Sequence, residues 1–75
     1  MPSLPGVTGE KLVGALRKAG FEKLRQRGSH VTMVRRQTGS VVVVPVHKGK
    51  DLPIGTLHAI VGAAGISPEE LVKLL

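Results

Sequence analysis

At 75 residues, with eleven Lys and Arg against five Asp and Glu, the chain carries a formal net charge of +6 and a pI near 10.6. A chain of this size buries only about 60% of the surface it exposes when unfolded and keeps about 4–11 kcal/mol of stability. That excludes a deep substrate cavity, and the absence of cysteine excludes disulfide and thiolate chemistry.

From Thr8 to Ala19, the residues Leu12, Val13, Leu16 and Ala19 recur at helical spacing while Lys11, Arg17 and Lys18 face elsewhere, and Gly20 supplies a left-handed stop. Phe21 to Arg27 reads as a short strand, Val31 to Arg36 as a second and Ser40 to Val46 as a third, with Gln37-Thr38-Gly39 as the hairpin turn between the last two. The run Val41-Val42-Val43-Val44 is β-branched on both faces, so the third strand is expected to be central or covered on both sides. Pro45 cannot donate a ladder bond and marks the end of pairing. After the polar loop Lys48-Gly49-Lys50-Asp51, Pro53 starts a second helix. It carries Ile54, Leu57, Ile60, Val61 and Ala64 on one side and ends at Gly65. Ser67-Pro68-Glu69-Glu70 opens a last short helix with Ser67 as cap, proline first and Glu70 placed to reach back. The expectation is one α+β domain over residues 1–75, α-β-β-β-α with a terminal turn of helix. A three-stranded antiparallel sheet packed against two helices is the architecture of the double-stranded-RNA-binding domain.

The charge surplus points to a partner rich in phosphate. Gly28-Ser29-His30 puts an imidazole on a tight turn beside Arg25 and Arg27. RNA carries its own nucleophile, the 2′-hydroxyl next to the scissile phosphate, so a catalyst needs only to remove that proton and steady the charge on phosphorus. An imidazole titrates near neutrality and suits the base role. His30 is therefore the candidate catalytic residue. Gly28 and the Ser29 hydroxyl bind phosphate or order the turn, and no Ser-His-acid arrangement is visible. Arg27, Lys48 and Lys50 are the candidate phosphate contacts, whereas Arg35 and Arg36 belong to the opposite end of the sheet. If Val31 and Met33 point to the core, His30, Thr32 and Val34 share the exposed face, and Arg36 joins them.

Counting outward from Thr38, residue 30 faces about residue 46, which brings His47 to the same end of the hairpin. Two roles stay open for His47: catalysis or RNA contact on the one hand, and on the other a strand-end role in which its ring bonds loop backbone. His58 reads as an ordinary helix residue. The three histidines fit none of the tight ligand spacings of zinc sites, so no metal and no cofactor is expected. No run reaches the about 18 apolar residues of a membrane span, and the N-terminus lacks the order of a signal peptide. No contact with membranes and a cytoplasmic location are expected.

Across roughly residues 8–71 the chain resembles the HicA (YcfA-like) family of messenger-RNA-cleaving toxins of type II toxin-antitoxin systems. The resemblance rests on Ala19-Gly20-Phe21, Gly28-Ser29-His30, Gly39 before the third strand, Val44-Pro45-Val46-His47, Gly55-Thr56-Leu57 and Ala64-Gly65-Ile66-Ser67, in that order and spacing. It implies a small endoribonuclease held inactive by a HicB-type antitoxin, with catalysis by the histidine of the glycine-serine-histidine turn, here His30. Family members often carry a polar or basic residue straight after this histidine, where this chain has Val31. The free toxin is expected to be a monomer. The alternative is a non-catalytic RNA-binding module of the same fold, in which His30 and the cations only hold phosphates. A third class, a basic domain that meets an acidic protein, would show no RNA affinity at physiological salt.

Overall fold

The computed structural model describes residues 4–75, so the first three positions of the expected domain lie outside it. Thr8 opens α1 (Gly9–Lys18) in extended backbone, and its hydroxyl accepts the Lys11 N–H at 3.2 Å, covering one of the donors a helix start leaves free. Leu12, Ala15 and Leu16 form the buried stripe of the helix. At its end Gly20 takes φ +98°, and the Phe21 N–H donates back to the Leu16 carbonyl at 2.9 Å, the closure that a left-handed residue after a helix permits.

Three strands follow as a meander: β1 (Glu22–Arg27), β2 (His30–Arg35) and β3 (Ser40–Pro45), antiparallel in the order β1-β2-β3. Then come α2 (Ile54–Ala63) and α3 (Pro68–Leu74), the latter capped by Ser67, whose hydroxyl accepts the Glu70 N–H at 3.1 Å. The α+β, double-stranded-RNA-binding-like order read from the sequence is the order observed. On the inner face Val31, Met33, Val42 and Val44 pack with Leu12, Leu16, Phe21, Leu57, Ile60, Val61 and Leu71 into one core. No described helix is long and apolar enough to cross a membrane.

Two expectations are corrected. β3 is an edge strand, not central: two successive hairpins leave β2 in the middle, and while Val42 and Val44 are buried, Val41 and Val43 are exposed on the other face. The run of valines reflects a preference for pleated backbone, not burial on both sides, and Pro45 suits an edge. Ile54 is also exposed, although Val61, seven residues on and at nearly the same azimuth, is buried. Its place in the first turn of α2, rather than its face, leaves it uncovered.

One contact sets α1 against the sheet. Gly9 is buried, and a Cβ there would overlap the Pro45 carbonyl oxygen and stand 2.9 Å from Val46 Cα. Nearby, the Leu52 N–H donates to the Val7 carbonyl at 2.7 Å, and Thr8 and Asp51 form a bridge, so the chain before α1 and the loop after β3 are tied together. Gly9→Ala should therefore cost about 1–3 kcal/mol by overpacking. Gly14→Ala, on the same helix with nothing within 4 Å of the added methyl, should gain about 0.5–1 kcal/mol. Urea midpoints moving in opposite directions would bear this out, and an unmoved Gly9→Ala midpoint would refute the close seat of α1 on β3.

Candidate functional site

Gly28 and Ser29 alone connect β1 to β2. Gly28 takes φ +56° and no described non-glycine residue has positive φ, so only the first central position of the turn is left-handed. That is the type II′ arrangement, whose twist matches the flanking strands and whose first position favours glycine. The Gln26 side-chain amide donates to the Gly28 carbonyl at 3.0 Å and braces the turn. On its other side the Val46 N–H donates to the Ser29 carbonyl at 2.6 Å.

The turn sets the register. His30 is the first residue of β2 and pairs with Arg27 on one side and Pro45 on the other, one residue from the partner expected at 46. Directly paired residues of antiparallel strands share a face. Arg27, His30 and Pro45 thus form one row at the end of the outer face, away from the helices. The next row is Arg25, Thr32 and Val43, and the third is Glu22, Val34 and Val41. His30, Thr32 and Val34 do share the outer face, although Val34, in the central strand between Glu22 and Val41, is largely covered.

His30 and Arg27 are exposed, and no described group hydrogen-bonds the His30 ring. The chain continues from Pro45 through Val46, tied to Ser29, to His47, which is also exposed. The His47 carbonyl accepts the Lys50 N–H at 2.9 Å, and Gly49 at φ +75° lets the loop turn there. Lys48 and Lys50 are exposed in this loop. The structure thus gathers Gly28, Ser29, His30, Arg27, His47, Lys48 and Lys50 at one end of the sheet. The described residues contain no hydrogen bond from the His47 ring to loop backbone, the contact its structural role would use.

At the opposite end Arg36 pairs with Glu22, both side chains being mostly exposed, so the pair adds little stability. Arg35 turns to the inner side, near Gly20, with its Nε buried and unpartnered. Arg25, Arg27, Lys48 and Lys50 have no carboxylate within ion-pair distance among the described residues, leaving the His30 end with unneutralised charge. Arg25 belongs to this end more closely than its sequence position suggests. A bulge at Leu24 offsets β1 against β2 and returns Arg25 to the outer face beside Thr32, and no local signal announces the bulge.

The site is a surface. A hollow of about 470 Å³ between α1 and the C-terminal leucines, and one of about 210 Å³ between α1 and β1, are both lined by residues other than His30. No three His, Cys, Asp or Glu side chains come together among the described residues. The arrangement offers an accessible imidazole, backbone donors at a glycine turn and several cations.

A family model for the HicA toxin of bacterial toxin-antitoxin systems matches residues 9–66, from the first residue of α1 through all three strands and α2. No curated protein matches the chain.

The left-handed turn makes Gly28 sensitive to substitution. Gly28→Ala should cost about 1–2 kcal/mol, and Gly28→Asn distinctly less, because asparagine tolerates positive φ. At this chain length each kcal/mol lowers Tm by about 4–8 °C, so thermal unfolding of the two variants decides it. Equal melting of Gly28→Ala and the parent would contradict the turn type.

Proposed function

This chain belongs to the HicA toxin family of bacterial toxin-antitoxin systems, and from that premise we propose that it is a metal-independent endoribonuclease that cuts mRNA with His30 as general base. The observation that carries the reading is the row at the sheet end: an exposed imidazole next to Arg27, beside a glycine turn, on a face with unneutralised cations.

In the reaction His30 takes the proton of the 2′-hydroxyl, and the freed oxygen attacks the adjacent phosphorus. The new O2′–P bond forms as the P–O5′ bond breaks, leaving a 2′,3′-cyclic phosphate and a 5′-oxygen that takes up a proton. His47, at the same strand end, is the candidate donor, with water as the other source. Arg27, Lys48 and Lys50 hold the substrate phosphates and steady charge at phosphorus, and the Gly28-Ser29 turn offers N–H and hydroxyl donors. A positioned base contributes about 10²–10⁴-fold, which suits a slow enzyme whose substrate brings its own nucleophile.

Binding by phosphate contact gives weak sequence preference, because Phe21, the only aromatic residue, is buried in the core and no stacking platform remains. A net charge of +6 keeps free copies apart and favours a monomer. The mRNA substrate implies action in the cytoplasm, and a HicB-type antitoxin holds the enzyme inactive.

Two measurements check the reading. With about four phosphates contacted, the logarithm of affinity for single-stranded RNA should fall with that of salt at a slope near −3, and Lys48→Ala should make the slope about 0.7 shallower. Cleavage of labelled RNA in excess EDTA should drop at least ~100-fold in His30→Ala while binding survives, with cyclic phosphate ends in the parent reaction. Equal cleavage by both proteins, or tight binding with no cleavage by either, would leave a non-catalytic RNA-binding module as the better account.

A further inference from the structure

The outer face of the sheet carries a feature that RNA cleavage does not use. Val41 and Val43 are 55% and 48% exposed, and the register gathers them on this face, Val41 beside Val34 and Val43 beside Thr32; Leu24, 50% exposed, stands in the bulge of β1. The apolar stripe runs on through Pro45 into the row of His30 and Arg27. Alongside it lies the free edge of β3, which carries no charged residue from Ser40 to Pro45. Exposed edges are ordinarily blunted by charge, a bulge or a cover. Here the edge is closed only at the His30 end, by the proline and by Gly9 of α1 against its carbonyl, and stays open at Val41 and Val43.

We propose that this face is the docking surface for the antitoxin, which adds an extended segment to the β3 edge. Its alternate apolar side chains rest on Val41 and Val43, and carboxylates elsewhere on the antitoxin, reaching across the outer face, meet Arg25 and Arg27 in β1. The inference rests on the toxin-antitoxin reading of the chain and names the surface that reading leaves open. Three observations select this occupant. Valine and leucine give a nucleic acid neither a stacking face nor a hydrogen bond, so the stripe fits a protein better than RNA. A second copy would bring +6 against +6, whereas Arg25 and Arg27, with no carboxylate partner among the described residues, suit an acidic segment. An added strand that follows β3 from Val41 to Val43 stops where the start of α1 meets Pro45, one row short of His30, so the docked antitoxin would stand beside the cleavage site without needing to contact the imidazole.

The test uses the full chain and its cognate HicB-type antitoxin, with affinity measured by calorimetry. Val41→Lys and Val43→Lys should each weaken the complex at least ~30-fold, with the melting curve and RNA cleavage of the free protein unchanged. Val72→Lys, equally exposed on α3 but off this face, should bind as the parent does. Repeating the titration on a His30→Ala background makes the readout independent of cleavage, so an inactive enzyme would sink the ribonuclease reading and leave this one to be judged by binding alone. The proposal is overturned if both β3 variants bind the antitoxin within about threefold of the parent, or if antitoxin and parent do not associate. A fall in RNA affinity with antitoxin binding intact would also overturn it, assigning the face to RNA. So would a parent dimer in sedimentation that Val43→Lys dissociates, which assigns the face to a second copy.

Discussion

The seat of α1 on the end of β3 holds the functional end of the molecule together. Gly9 lies so close to the Pro45 carbonyl and Val46 Cα that no side chain fits between them, and the next link is the bond from the Val46 N–H to the Ser29 carbonyl. Helix start, strand end and the turn before His30 are thereby joined through backbone, which has far fewer soft torsions than side-chain contacts would have. The role proposed for His30, a base that works by position, would need this stiffness, since small displacements of a catalytic group cost large factors in rate.

A chain this short has few ways to build such a site. With most of its apolar side chains committed to one core between the sheet and three helices, it has no interior left for a substrate, and no buried polar or charged residue is present among those described. On the proposed ribonuclease reading, RNA relieves the shortage because its nucleophile is internal and its charge reaches cations from a distance. Arg25, Arg27, Lys48 and Lys50 stay solvated, at little cost in stability, and still raise the local concentration of phosphate. Where the chain does pair charges, at Arg36 and Glu22, it does so at the far end of the sheet.

The sheet divides its work by face. Inward side chains of β2 and β3 supply the core, while β1 hangs beyond the helices with every residue exposed. Outward side chains form a gradient from the Glu22–Arg36 pair, through the valines, to Arg27 and His30. One strand alternation therefore serves stability on one side and leaves the other free for recognition, and the exposed valines of β3 are the outward half of the same pattern that buries Val42 and Val44.

Much of this was legible in the residues. The Thr8 cap, the Gly20 and Gly65 stops, the Ser67-Pro68 start and the change of apolar period announce all six elements, because caps, stops and periods act within a few residues. Gly28-Ser29-His30 stood out because it joins a turn signal to an imidazole and neighbouring cations. The strand boundaries are legible to within a residue, yet the run of valines does not tell which strand is central. A side chain's preference for pleated backbone does not say how many neighbours the strand will have. Arg25 is not singled out as a phosphate contact for a similar reason, since the bulge at Leu24 shows only once β1 is laid against β2. By itself, then, the sequence determined the elements, their order, the charge and the identity of the turn. Only the tertiary structure decided that β3 is an edge, that His30 faces Pro45, and which side of the sheet each cation takes. Those depend on pairing between distant segments, and in a pleat of period two a slip of one residue sends every side chain to the opposite face.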